Sequence, residues 1–182
     1  YEDDFWGAAL PVRMAHVKTL VPGPTDMLFH AIIHGVPWNF IPSIRWIADA
    51  LCLINASEHW IDWRRLINSA RKHFYCLRLK TGLAYLKETF HPEIPADIIQ
   101  EVENLPVSYL EVMENRFWMR DETSRNKRPY TALCANLCQS NRLNADGGIS
   151  SILAFPSFLR WRLEAKSYPE LISNGFRLIA EM

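Results

Sequence analysis

Two stretches decide the fold of this chain: TDMLFHAIIHGV, which spans Thr25–Val36, and SIRWIADALCLIN, which spans Ser43–Asn55. In both, apolar side chains recur every three or four positions, and a short loop rich in proline and aromatic residues joins them. This periodicity predicts two neighbouring amphipathic helices. The first helix carries His30 and His34 on one face, because residues four apart share a face of an α-helix.

The second predicted helix carries Arg45 and Asp49 at the same spacing. Polar groups on largely apolar helices need partners or a function, because burying an unpaired polar group costs free energy. One interpretation is a buried hydrogen-bonded network, in which Asp49 accepts from His30 or His34 and fixes the helix crossing. The other is that Arg45 or a histidine reaches a ligand such as a phosphate in a cleft. The residues alone leave both interpretations open.

The two histidines also have the spacing by which one helix offers two imidazoles to a metal ion. A metalloprotease motif would place a glutamate directly after the first histidine, where this chain has Ala31. A zinc site would need a third ligand, for which Asp49 is the nearest candidate. We therefore predict no metal site in this chain.

The composition predicts a packed domain without a strong affinity for nucleic acid. Of 182 residues 49% are hydrophobic, which is incompatible with disorder, and Lys+Arg equal Asp+Glu at 20 each. A formal net charge of zero gives no general attraction to polyanions. The aromatic residues Trp38, Phe40, Trp60 and Trp63 lack the basic groove that accompanies base stacking, so we expect them to pack. The basic residues Arg64, Arg65, Arg71 and Lys72 are predicted to form a solvated helix face.

The cysteines and the hydropathy indicate where the protein resides. Cysteines occur at positions 52, 76, 134 and 138, without the spacing of a zinc ribbon or a redox pair. We expect structural free thiols in a reducing, cytoplasmic compartment. No apolar run reaches the ~18 residues of a membrane span, and no signal peptide is visible, so no membrane partner is expected.

The rest of the chain predicts further amphipathic helices, and the fold class is mainly α: a helical bundle-like domain with a short N-terminal extended or β segment at Pro11–Val21. Three parts are expected: an extended segment over residues 1–22, a helical domain over 23–121, and a polar linker with a C-terminal helical subdomain over 122–182. Within that subdomain, Pro156 is predicted to kink or split a helix.

Four motifs in order carry a family resemblance: PTDMLFHAIIHG, a Trp-containing loop, IRWIADALCLI and IDWRRLINSAR, followed by a Leu-rich helix that ends at a Pro-flanked turn. Over about Asp4 to Pro95 the chain resembles an uncharacterised nucleotidyltransferase-like family of bacterial proteins, itself similar to the polymerase-β-type nucleotidyltransferases. The resemblance implies a small mixed sheet with a Gly-Ser turn and spaced carboxylates, which hold Mg²⁺ and position a nucleoside triphosphate, followed by a helical region.

This chain departs from that pattern, because it has no Gly-Ser turn followed by a D-x-D pair, and Asp3 and Asp4 are adjacent. The resemblance then implies the C-terminal helical part of a longer parent, whose catalytic core would precede Tyr1 and whose missing sheet would include the extended segment. The parent would use Mg²⁺, a nucleoside triphosphate and an acceptor that the sequence does not identify. No catalytic residue and no cofactor is expected in this chain, which alone would be inactive. The residues expected to face or brace the cleft are His30, His34, Arg45 and Asp49. The alternative is a non-catalytic helical interaction or scaffold module.

Overall fold

A computed structural model describes residues 2–36, 44–56, 61–119, 129–143, 149–162 and 164–173. It confirms the mainly α class, with one two-stranded antiparallel sheet near the N-terminus. The elements are α1 Glu2–Gly7, β1 Leu10–Met14, β2 Val17–Val21, α2 Pro24–Gly35, α3 Arg45–Ala56, α4 Trp63–Lys72, α5 Cys76–Phe90, α6 Ala96–Glu103, α7 Tyr109–Trp118, α8 Pro129–Leu143 and α9 Ile149–Arg162.

The chain divides into two compact units, Tyr1–Val107 and Ser108–Met182. The boundaries predicted at residues 22 and 121 stay predictions. The predicted aromatic loop at 37–42, the linker at 121–128 and the turn at 144–148 lie outside the described residues, as do Trp38, Phe40 and Trp60. Among the helices that the structure describes, none is both long enough and apolar enough to cross a bilayer.

The extended segment predicted at Pro11–Val21 is two strands rather than one. β1 and β2 pair antiparallel, with Leu10 opposite Val21 and Met14 opposite Val17. The chain reverses at Ala15, whose φ of 53° lies in the left-handed region. This turn could not be predicted from the sequence, because Ala15 and its neighbour are not among the residues that usually form hairpin turns.

Helix α2 is the centre of the first unit and packs against α3, α4 and α5. It begins after Gly23 with Pro24 in its first turn and Asp26 near its positive end, as the sequence predicts. Helix α5 comes close to α2 at Gly82, where a Cβ atom would lie 2.7 Å from Ile32 Cγ2. The fully buried apolar side chains around these helices are Leu28, Ile32, Ile54, Leu66, Ile67, Leu79, Leu83 and Leu86.

The second unit is organised around a buried ion pair. Both carboxylate oxygens of Glu114 on α7 accept from the guanidinium of Arg142 on α8, at 2.5 and 2.6 Å. Burial raises the pKa of the nearby Cys138 thiol to about 12, with the carboxylates of Glu114 and Glu111 adding to the shift and Arg142 opposing it. Helix α7 begins at a capping box formed by Ser108 and Glu111.

Helix α9 packs against α8 and continues through Pro156, so the helix is not split there. The predicted kink at this residue stays a prediction. Phe158, two residues after the proline, is buried, and its ring stacks on Phe155 at a centroid distance of 6.2 Å. These contacts join the turns on either side of the proline.

Candidate functional site

A cavity of about 750 Å³ lies between α2 and α3 in the first unit. Its volume falls within the range of small-molecule sites in proteins. The lining positions on α2 and α3 follow helical spacing, so one face of each helix forms a wall. The lining residues are Phe5, Pro22, Asp26, Met27, His30, Ala31, Asp49, Cys52, Leu53 and Ala56.

Two of the four predicted site residues, His30 and Asp49, meet at this cavity. His34 and Arg45 are not among its lining residues. All four are exposed, so the interpretation of a sealed, fully buried network does not describe them. Their role as cleft or bracing residues stays a prediction, with the geometry placing His30 and Asp49 where a ligand could reach them.

The two imidazoles of α2 lie side by side. The ring centroids of His30 and His34 are 4.2 Å apart, with the ring planes inclined by 36°. Partial burial lowers the pKa of His34, and the neighbouring His30 and Arg78 lower it further, because both disfavour a second positive charge there. His34 therefore favours the neutral imidazole, which keeps one ring nitrogen as an acceptor.

Asp26 connects the cavity wall to α4. It is only 7% exposed, and its two carboxylate oxygens accept from Nη2 of Arg65 at 2.8 and 2.9 Å. The adjacent Thr25 accepts through Oγ1 from the backbone N–H of Asp62 at 2.8 Å. Asp62 in turn caps α4 by accepting from the backbone N–H of Arg65. The first turns of α2 and α4 are thus held together.

The ion pair corrects one expectation about the basic face of α4. Arg65 was predicted to be solvated, yet its side chain is 28% exposed and pairs with Asp26. The two residues are 39 positions apart, so helix periodicity gives no sign of the pair. By contrast, Arg71 on the same helix is 44% exposed and pairs with Glu101 at the surface.

The side chains around the cavity do not fit a metal ion. Within the described residues, no group of three or more His, Cys, Asp or Glu side chains could hold one. Asp26 is paired with Arg65, which leaves His30 on α2 and Asp49 and Cys52 on α3 as possible ligands on opposite walls. Mg²⁺ needs several oxygen ligands in near-octahedral geometry, so no step is assigned to it in this part of the chain.

Sequence reasoning missed eight of the ten lining residues, and three of these eight bring a polar or aromatic group to the cavity: Phe5, Asp26 and Cys52. Cys52 is the one exposed cysteine of the four, and the other three are buried. Helical spacing held a signal for two of them, because Asp26 is one turn before His30 and Cys52 is one turn after Asp49. Phe5 comes from α1, and no local pattern links it to α2.

Taken together, the first unit is a mainly helical domain with a cavity of about 750 Å³ between α2 and α3. Its residues 1–91, half of the chain, match the family described as uncharacterised nucleotidyltransferase, and the chain belongs to that family. The match extends from the N-terminal helix to the end of α5 and includes every residue that lines the cavity. It confirms the resemblance found over about Asp4 to Pro95. Searches of the curated proteins and of the solved structures find no significant match.

Proposed function

We propose that this chain is the C-terminal helical portion of a nucleotidyltransferase, whose longer parent transfers a nucleotidyl group from a nucleoside triphosphate to an acceptor. The observation that carries the proposal is that the cavity lies entirely within the residues that match the family. Family membership supports the reaction class, and the cavity supports a role in binding one of the two substrates.

In this proposal the two halves of the parent have different tasks. The Gly-Ser turn, the spaced carboxylates, Mg²⁺ and the triphosphate belong to a catalytic part before Tyr1. The present chain shapes the acceptor side, where His30 and Asp49 face the substrate. The acceptor would be a hydroxyl on a protein, an RNA or a small molecule. Because the described residues do not fit Mg²⁺, the isolated chain is expected to be inactive.

The hairpin supports a connection to further sheet structure. An isolated two-stranded sheet is marginally stable in water. β1 and β2 also leave apolar side chains exposed, with Met14 65% and Val17 66% exposed. Pairing with strands of the catalytic part would cover this surface. The parent is also proposed to be cytoplasmic, which the four free thiols support.

The test uses the whole gene product, expressed from its native start codon. It is incubated with Mg²⁺ and each α-labelled triphosphate in an extract of the host cell that supplies the acceptor, and pyrophosphate release and label transfer are measured against the same extract without the gene product. Asp49→Asn and His30→Ala are expected to lower transfer by roughly 10- to 100-fold with unchanged melting, which corresponds to the loss of one hydrogen bond to a charged group, about 1.5–3 kcal/mol. The control is Asp97→Asn, an exposed carboxylate on α6 outside the cavity.

Two results would remove the proposal. One is a gene product without a Gly-Ser turn and D-x-D pair. The other is no pyrophosphate release with any of the four triphosphates. Equal activity of the cavity variants, with a lower melting temperature, would leave those residues a structural role only.

A second candidate function is a non-catalytic scaffold. It is favoured by the exposed apolar residues of α9, where Leu153 is 73% and Trp161 71% exposed. Exposed aromatic residues of this kind are enriched at protein interfaces. A catalytically silent gene product that forms a stable complex, lost on Trp161→Ser, would favour this function.

A further inference from the structure

The cavity between α2 and α3 has a distinct chemical character. Its polar groups are the carboxylates of Asp26 and Asp49, the imidazole of His30 and the thiol of Cys52. The remaining walls are apolar: Phe5, Pro22, Met27, Ala31, Leu53 and Ala56. Among the described residues that line it, none is lysine or arginine. The cavity thus offers hydrogen-bond acceptors and apolar surface, without a fixed positive charge.

This lining disfavours two classes of ligand. A phosphate or other anion needs cationic or backbone donors and would face the Asp49 carboxylate instead. A wholly apolar ligand would remove water from Asp49 without replacing its hydrogen bonds, which is unfavourable. The triphosphate is therefore a poor occupant of this cavity.

A ligand with hydrogen-bond donors attached to an apolar group would match both the acceptor groups and the apolar walls of the cavity. Asp49 can accept from an ammonium group, because its carboxylate lines the cavity and is exposed, whereas Asp26 is already paired with Arg65. Met27 and Leu53 on the two helix walls then contact the apolar body. Charge-assisted hydrogen bonds of this kind are about twice as strong as neutral ones.

We propose that this cavity binds a small organic cation, a protonated amine carried on an apolar or aromatic body. That this ligand is also the acceptor rests on the proposed function, and it requires a hydroxyl on the same molecule, whose oxygen attacks the α-phosphorus of the triphosphate while pyrophosphate leaves. That it binds does not, because the volume and lining of the cavity belong to this chain alone.

The chain carries its own reporter for the test. Cys52 lines the cavity and is exposed, whereas the other three cysteines are buried. The rate at which iodoacetamide alkylates Cys52 in the whole gene product, measured by mass spectrometry of the peptide that contains Cys52, therefore reports occupancy of the cavity. The probe is tryptamine, and indole-3-propionate is its anionic counterpart with the same ring. A probe of this size is expected to bind with a Kd on the order of 1 mM.

Saturating tryptamine is expected to slow alkylation of Cys52 by about fivefold or more, and indole-3-propionate and ATP are expected to leave the rate unchanged. Asp49→Asn should weaken tryptamine binding by about five- to tenfold, as loss of one charge-assisted contact implies. Asp97→Asn on α6, outside the cavity, should bind tryptamine as the native chain does. Both positions are exposed, so neither variant removes a buried contact.

Equal protection by the anionic probe, or none by tryptamine, would overturn the inference. An Asp49→Asn chain that binds tryptamine with native affinity would do the same. The outcome is separable from that of the proposed function. Amine binding in a gene product without transfer activity leaves this inference standing and refutes the transferase proposal, and transfer activity without amine binding does the reverse.

Discussion

Replacing Gly35 by alanine tests the packing that forms the cavity. Gly35 is the last residue of α2, and Trp46 on α3 lies directly against it. A Cβ atom at position 35 would lie 1.9 Å from Cγ and 2.0 Å from Cβ of Trp46. Ordinary contacts begin at 3.4 Å, so the tryptophan must retreat by about 1.5 Å.

The magnitude follows from two opposing effects. Alanine in place of glycine favours a helix by about 0.5–1 kcal/mol. Overpacking a filled core costs typically about 1–3 kcal/mol and more when a rigid side chain must move. Trp46 is 9% exposed and its clash involves Cβ, which is fixed to the backbone, so α3 itself has to shift. We expect a net loss of about 2–3 kcal/mol in the free energy of unfolding.

The assay is urea denaturation followed by circular dichroism at 222 nm. For an m-value of about 1–3 kcal/mol/M, the expected loss lowers the midpoint by roughly 1–2 M. The matched control is Gly7→Ala in α1, where a Cβ atom meets nothing within 4 Å. That variant should be neutral or slightly more stable, because alanine restricts the unfolded chain.

A double-mutant cycle with Trp46→Gly sharpens the test. Glycine at position 46 has neither the Cβ nor the Cγ atom that a Cβ at position 35 would meet, so Gly35→Ala should cost less there than in the native chain. The reasoning is refuted if Gly35→Ala shifts the midpoint no more than Gly7→Ala does. It is also refuted if the two substitutions at the contact are simply additive.

Three further predictions concern charged and titrating groups. Arg65→Met should lower the free energy of unfolding by about 1–3 kcal/mol in urea melts, because it leaves the Asp26 carboxylate buried without its ion pair. Between pH 9 and about pH 12 the free energy of unfolding of the second unit should fall, because the Cys138 thiol ionises at a lower pH in the unfolded chain than in the folded one. Cys138→Ala should reduce the slope of this fall by up to about 1.4 kcal/mol per pH unit. Below pH 6.5 the free energy of unfolding should also fall, because the pKa of His34 is lowered in the folded chain and the unfolded chain therefore binds the proton more readily than the folded one. His34→Gln should reduce this fall in urea melts at different pH values.

Each of these has a control or a contradicting result. Arg71→Met, which breaks the exposed pair with Glu101, should change stability by no more than about 0.5 kcal/mol; a loss as large as that of Arg65→Met would contradict the argument from burial. A Cys138→Ala chain with the same alkaline slope as the native one would contradict the second prediction. An NMR titration in which the His34 ring has a pKa at or above 6.5 would contradict the prediction for the acid range.

Much of the fold could be predicted from the sequence, because helix periodicity, caps and breakers act locally. The Gly-Pro start of α2, the Asp62 cap of α4 and the Ser108 cap of α7 all occur where the residues place them. The turn at Ala15 could not be predicted, because it uses a left-handed alanine that no turn signal marks. The ordered series of motifs was also enough to identify the family.

Only part of the candidate site could be predicted from the sequence. The i,i+4 pairs located His30 and Asp49, since spacing along one helix is a local property. Their meeting at one cavity depends on how two helices cross, and so does the inclusion of Phe5 and Cys52. The sequence also could not predict that all four site residues are exposed, because periodicity shows which face of a helix is polar but not how much of each side chain solvent reaches.

The sequence by itself determined which segments are helical, which faces are apolar and which family the chain belongs to. The tertiary structure decided that Arg65 leaves the solvated face of α4 to pair with Asp26, and that acceptors and apolar walls meet between α2 and α3. The physical reason is the separation along the sequence of the residues that interact. Periodicity and capping arise from neighbours within one or two turns, whereas an ion pair across 39 positions and a cavity between two helices exist only once the helices have packed.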